Sequence, residues 1–221
     1  MIRAQVSRFR DRAEAGRLLA SSLGHYSNRP NVLVLGLPRG GVAVAFETAT
    51  SLRASLDVFV VRKLGVPGHD ELAMGAVATG GIRILEMGVI QTLHISGAVL
   101  QAVMAKELDE VERRERVYRG SHPPAEIRGK TTILVDDGLA TGASMRAAIA
   151  WLRTQRATRI VIAVPVAVQE VCDEFRNEVD EIVCADTPEN FYAVGEAYER
   201  FPQITDAEVR SFLDRARAEA A

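Results

Sequence analysis

Cysteine is scarce in this 221-residue chain: Cys172 and Cys184 are the only two, and neither has CxxC or His-paired spacing. That argues against a zinc site or a disulfide framework and reads both as small buried hydrophobes in a reducing cytoplasm. A charge excess of one sign is also lacking. The formal net charge is -2, so neither nucleic acid nor an anionic membrane is drawn to the chain as a whole. No apolar run is long enough to cross a bilayer. The opening MIRAQVSRFRDRAEAGRLLASSL alternates charged and apolar residues, and so reads as neither a signal peptide nor a membrane span. Internal repeats, low-complexity linkers and a GxxxxGK[ST] phosphate loop are missing as well. His25, His94 and His122 have no metal-ligand spacing and read as surface or loop residues. What is present, 48% hydrophobic and 25% charged residues, is the composition of a globular chain with one good core.

The apolar residues are arranged in a repeating rhythm. Val6, Phe9, Ala13, Leu18, Leu19 and Leu23 predict an amphipathic helix that ends near Gly24. Val32 to Leu35 and Leu56 to Val61 read as strands flanking a helix over Val42 to Leu52. The rhythm returns with strands over Thr131 to Val135, Arg159 to Val166 and Glu181 to Ala185. Helices over Ala143 to Thr154 and Val168 to Asn177 separate them. The strands lack polar alternation, as expected of a parallel sheet covered on both faces, and the βαβ order implies an α/β fold. Ligands of such sheets bind where strands give way to helices, at the carboxyl edge.

Other segments break the rhythm. Leu64 to Gly81, rich in glycine and holding Pro67, reads as a mobile loop with little strand content. Ser96 to Arg119 reads as a long charged helix whose run from Glu107 makes i,i+4 ion pairs on a solvated face. Thr205 and Glu208 have capping-box spacing and predict a last helix over Asp206 to Ala218.

The segment ILVDDGLATGASM, Ile133 to Met145, carries the most chemistry. A buried strand delivers Asp136 and Asp137 to the sheet edge. Gly138, Thr141, Gly142 and Ser144 follow, and then a helix begins. Small residues let several backbone N–H groups face one concavity, and the helix N-terminus adds partial positive charge, which together suit a phosphate. Adjacent carboxylates accept hydrogen bonds from a vicinal diol. A ribose with a phosphate at one end matches both halves; a structural turn with two surface aspartates is the plain alternative.

This segment resembles the 5-phosphoribosyl-1-pyrophosphate (PRPP) motif of the type I phosphoribosyltransferases. The order of elements is similar over roughly residues 30 to 187. LPRGG, VRKLGVPG and the Phe191-Tyr192…Gly195 tail resemble a little-characterised bacterial subgroup of that family. The resemblance implies one phosphoribosyltransferase domain over residues 1–221. It would have a Rossmann-like parallel-sheet core at about 30–187, a flexible lid loop and a small helical hood. The auxiliary parts are 1–29, 96–124 and 188–221.

By the same resemblance, Asp136 and Asp137 hold the ribose hydroxyls, directly or through water on Mg²⁺ brought by PRPP. Gly138, Leu139, Ala140, Thr141, Gly142, Ala143 and Ser144 wrap the 5'-phosphate. Arg39 and Gly40 fall in the pyrophosphate loop. The family's loop often contains a strained or cis peptide, which here would be Pro38–Arg39. Arg62 and Lys63 are placed to neutralise the leaving pyrophosphate. Of the lid's polar residues, His69, Asp70 and Glu71, the outer two, His69 and Glu71, are placed to move protons. Phe191 or Tyr192 is placed to stack on a base and Glu199 to read its edge, with apolar packing as the other reading for the aromatics.

The implied activity is Mg²⁺-dependent transfer of phosphoribosyl from PRPP to a nitrogenous base in the cytoplasm, for nucleotide salvage, without membrane or nucleic acid. The alternative is a PRPP-sensing regulator that binds nucleic acid or protein. Dimers are common in the family, so a homodimer is in view. One departure bears on the acceptor. Ala140 stands where the 6-oxopurine members carry an acid, so the loop is closer to the adenine type.

Overall fold

The computed structural model describes residues 8–140, 142–189, 191 and 193–220, with the side chains of Asp70, Glu71 and Ala220 set aside. In chain order the elements are α1 (Arg12–Ser22), β1 (Val32–Gly36), α2 (Gly40–Leu52), β2 (Ser55–Val58), β3 (Val61–Val66), β4 (His69–Ala78) and β5 (Ile82–Leu85). Then come α3 (Met87–Thr92), α4 (Gly97–Arg119), β6 (Thr131–Val135), α5 (Ala143–Thr154), β7 (Arg159–Val166), α6 (Gln169–Phe175), β8 (Glu181–Asp186) and α7 (Asp206–Ala220).

Five strands form a parallel sheet in the order β2-β1-β6-β7-β8. Successive side chains alternate between its two faces. Val32, Val34, Ile133, Val135, Val161 and Ala163 enter one apolar cluster with α1, α2 and α7. Leu33, Leu35, Leu134, Ile160, Ile162 and Val164 enter a second cluster with α5 and α6. Both faces are therefore dry, which is why β1 reads as an unbroken apolar run in the sequence and β6 ends in one, Ile133 to Val135.

The expectation of a loop over Leu64 to Gly81 is overturned. β3, β4 and β5 make a three-stranded antiparallel sheet across this region. Leu64, Val66, Met74 and Val77 bury against Met104 and Val111 of α4, and this tertiary cover stabilises strands whose glycine content suggests a loop. The strand expected over Leu56 to Val61 divides accordingly: β2 ends at Val58, and Val61 opens β3 in the other sheet.

The charged run on α4 makes its i,i+4 pairs, Arg114–Glu110, Arg116–Glu112 and Arg119–Glu115. It is nonetheless only partly a solvated face, because Val111, Tyr118 and Arg119 are buried. Arg119 reaches Asp57 at 3.0 Å and donates to the Val58 carbonyl at 2.6 Å. Asp57 also accepts from the backbone N–H groups of Val58 and Ala125. The pair joins α4 to β2, 62 residues apart in the chain.

At α7 the capping box forms as expected. Glu208 accepts from the Thr205 N–H at 2.8 Å, and the Thr205 hydroxyl accepts from the Glu208 N–H at 3.2 Å. Cys172 on α6 and Cys184 on β8 form a disulfide, which corrects the reading of both as small buried hydrophobes in a reducing cytoplasm. The helix and the strand become neighbours only through sheet packing.

Candidate active site at the carboxyl edge of the sheet

The register of β1 against β6 pairs Gly36 with Val135, so the two chains leave the sheet side by side. The Leu37 N–H donates to the Val135 carbonyl at 2.9 Å, which keeps the loops together for one more residue. The Pro38–Arg39 peptide is cis, at the position expected, and α2 begins at Gly40. Beyond β6 lie Asp136, Asp137 and Gly138. Leu139 then donates to Val166 at 2.9 Å and accepts from Val168 at 3.1 Å, which pins the loop to the end of β7. Ala140 is exposed, and Thr141 lies outside the described residues. Gly142, with φ at 73°, turns the chain into α5, whose first turn carries Ala143 and Ser144.

The two loops interlock. A Cβ on Gly40 would stand 1.8 Å from Asp137 Oδ2, and one on Gly41 would stand 2.7 Å from the Asp136 Cα. Glycine at both positions lets the start of α2 lie directly on the tandem acids. The Asp137 N–H donates to Asp136 Oδ1 at 2.8 Å. Burial, and then the charge of Asp137 beside it, push the Asp136 carboxyl well above the usual range.

Three residues that sequence reasoning missed complete this edge. Arg12 of α1 donates from Nε to Asp137 Oδ2 at 2.8 Å and from Nη1 to the Pro202 carbonyl at 2.7 Å. Its guanidinium carbon lies 3.7 Å from the ring centroid of Phe201, within cation–π range. The Tyr198 hydroxyl donates to the Asp137 carbonyl at 2.6 Å, and burial raises its pKa. An arginine in an amphipathic helix reads as a surface residue, so the sequence carries no signal for Arg12.

The remaining candidates are spread around the edge. Arg39 Nη1 is 4.0 Å from Asp206 in the first turn of α7. Asp206 also accepts from the Tyr118 hydroxyl at 2.8 Å and from Arg113 at 3.3 Å. Burial pushes the Asp206 carboxyl up, but these hydrogen bonds outweigh it and leave its pKa below the ordinary value.

Arg62 faces α4 and pairs with Glu107 at 2.7 Å, whereas its neighbour Lys63 is exposed. His69 is exposed where β4 begins. The side chain of Glu71 and the whole of Tyr192 lie outside the described residues. Phe191 packs against a cluster of Phe9, Ala15, Val166 and Tyr198. Glu199 is exposed and ties its backbone N–H to the Phe9 carbonyl at 2.8 Å.

Among the described residues no group of three or more His, Cys, Asp or Glu side chains could hold a metal ion. No helix among them is long and apolar enough to cross a membrane.

A family model described as phosphoribosyl transferase domain matches residues 6–199. Two Mycobacterium tuberculosis proteins provisionally named phosphoribosyl transferases, MT0597 and Rv0571c, are 46% identical over 213 residues. The match covers 96% of this chain and 48% of each of theirs, so the chain spans about half the length of these relatives. The crystal structure of TT1426 from Thermus thermophilus superposes with a TM-score of 0.79 at 41% identity, covering 93% of this chain and 97% of that one. Together with a parallel sheet that carries the Asp136–Asp137 loop at its carboxyl edge, these matches show that the chain belongs to the phosphoribosyl transferase domain family.

Proposed function

We propose that the protein transfers a 5-phosphoribosyl group from PRPP to a nitrogenous base and releases pyrophosphate. The observation that carries this reading is the interlock of Gly40 and Gly41 with Asp136 and Asp137. It brings the turn assigned to the pyrophosphate against the acids assigned to the ribose diol at one sheet edge. In this reading Asp136 and Asp137 accept the ribose hydroxyls. Backbone N–H groups from Gly138 to Ser144 and the first turn of α5 hold the 5'-phosphate.

Arg39, Gly40, Arg62 and Lys63 are assigned to the pyrophosphate. The transition state resembles the oxocarbenium ion of glycoside chemistry, and fixed cations stabilise the charge that departs. Of these, Lys63 is the exposed one, while Arg62 acts from its pair with Glu107. His69 and Glu71 are assigned to proton transfer at the hairpin, and Phe191 and Tyr192 to the base. Covering the hairpin over the site would keep water from the cationic ring.

In this reading Mg²⁺ arrives on the donor's phosphates, and Asp136 and Asp137 would touch its water shell. When bound, the ion supplies charge neutralisation for the leaving pyrophosphate. Ala140 in the phosphate loop argues against a 6-oxopurine acceptor and favours a purine of the adenine type, as in nucleotide salvage. We take residues 1–221 as one such domain, with a homodimer as its candidate assembly.

The test is pyrophosphate release from purified protein, PRPP and Mg²⁺ with a panel of bases. Release with one base, lost when Asp136 and Asp137 are both replaced by Ala, supports the reading. Calorimetric binding of PRPP without turnover on any base would instead favour a PRPP-sensing regulator.

A further inference from the structure

Arg12 is buried, although Arg17 on the same helix is solvated. A guanidinium leaves water only where its charge and its donors are satisfied. Arg12 meets that condition with Asp137 Oδ2 at 2.8 Å, the Pro202 carbonyl at 2.7 Å and the Phe201 ring at 3.7 Å. These contacts hold the planar fork from three directions.

The acid it holds is one of the two assigned to the ribose. Fixing Oδ2 stops the Asp137 carboxylate from rotating, and so sets the direction of its other oxygen. The same cation offsets the repulsion between Asp136 and Asp137, and between both acids and a polyanionic donor. Asp137 is also held through its backbone, because Tyr198 donates to its carbonyl at 2.6 Å. Phe9, just before α1, bridges to Tyr198 in parallel pairing. Segments from both ends of the described chain thus converge on one loop residue.

We infer that Arg12 is a positioning residue for the donor's ribose, acting through Asp137. The inference rests on the donor reading above, and it adds a role that the PRPP motif does not contain.

Binding of three ligands, PRPP with Mg²⁺, ribose 5-phosphate and inorganic pyrophosphate, is measured by calorimetry. The proteins are wild type, Arg12→Ala, Arg12→Lys and, as a surface control, Arg17→Ala. Arg12→Ala is expected to weaken PRPP and ribose 5-phosphate by about tenfold or more, the scale of a charge-assisted hydrogen bond. Its pyrophosphate affinity stays within about twofold, because Arg12 hydrogen-bonds the ribose acid and the Pro202 carbonyl rather than Arg39 or Gly40. Arg12→Lys recovers part of the loss, since lysine restores a point charge but neither the fork nor the stack. Arg17→Ala binds all three ligands like wild type.

Thermal melts accompany each titration. If Arg12→Ala does not fold, Arg12→Lys decides: a selective loss of ribose ligands supports the inference, and unchanged affinity overturns it. Equal weakening of all three ligands, or equal weakening by Arg17→Ala, overturns it too. Wild-type protein that binds neither PRPP nor ribose 5-phosphate overturns the donor reading itself and this inference with it. Wild-type binding that is matched by folded Arg12→Ala overturns the inference alone.

Discussion

Asp137 Oδ2 lies 1.8 Å from the point where a Cβ on Gly40 would stand, and Arg12 Nε is 3.0 Å from that same point. Nothing larger than hydrogen fits there while Arg12 and Asp137 stay paired. The neighbouring Gly41 faces backbone instead, with the Asp136 Cα at 2.7 Å and the Val135 carbonyl oxygen at 2.9 Å.

Alanine at these two glycines should therefore have different effects. In Gly40→Ala the Asp137 side chain swings aside, so PRPP affinity falls by about tenfold or more while stability drops by about 1 kcal/mol. In Gly41→Ala the obstacle is backbone, so unfolding in urea should show a larger loss, about 2–3 kcal/mol. Equal stability losses in the two variants would contradict this division.

The Asp136 carboxyl predicts a trade between stability and binding. Its folded pKa is raised by burial and by Asp137, so above the ordinary value of 3.8 the folded state holds a proton that the unfolded chain has lost. Stability from this group therefore declines as pH rises from 3.8 toward the raised pKa. Asp136→Asn removes the decline and keeps an oxygen to accept the Asp137 N–H. At pH 7 the variant should melt higher than wild type and bind PRPP at least about tenfold more weakly. A lower melting temperature at that pH would contradict the sign.

Arg119 and Asp57 form a pair in which the side chains are 5% and 6% exposed. Removing one partner strands the other charge away from water. Arg119→Ala should cost about 3–5 kcal/mol in urea unfolding. The double variant Asp57→Asn/Arg119→Met should recover part of this, because no charge is left buried. A single-variant loss below about 1 kcal/mol, the range of a surface pair, would show that the pair is solvated in solution.

Adjacent cations on β3 should separate in kinetics. Lys63→Ala should lower kcat by about a hundredfold, the scale of removing one fixed stabiliser of departing charge. Arg62→Ala should lower kcat less, because the charge of Arg62 is already partly offset by its pair with Glu107. That pair is about a third exposed on the arginine side, so its loss should cost about 1 kcal/mol or less. Pyrophosphate release and urea unfolding measured on both variants check the division, and a larger kcat effect at Arg62 would reverse the assignment.

Much of the parallel sheet was legible because its signal is local. Val32 to Leu35, Ile133 to Val135 and Ile160 to Val164 are short apolar runs without polar alternation, as strands buried on both faces carry. The antiparallel sheet was not legible. Gly65, Pro67 and Gly68 look like loop composition, and the strands depend on Leu64, Val66 and Met74 burying against α4. The Cys172–Cys184 pair was hidden for a similar reason, since its partners meet only after α6 docks beside β8.

By itself the sequence determined the candidate donor loop, because strand, tandem acids, small-residue turn and helix are contiguous from Ile133 to Thr154. Their order along the backbone is the pattern from which a phosphate cradle beside two carboxylates is proposed. Only the tertiary structure decided what steadies those carboxylates. Arg12 stands 125 residues from Asp137, and Tyr198 a further 61 beyond it. A charge pair at that separation has no local pattern and arises only when packing of α1 and the C-terminal segment buries the guanidinium beside the acid.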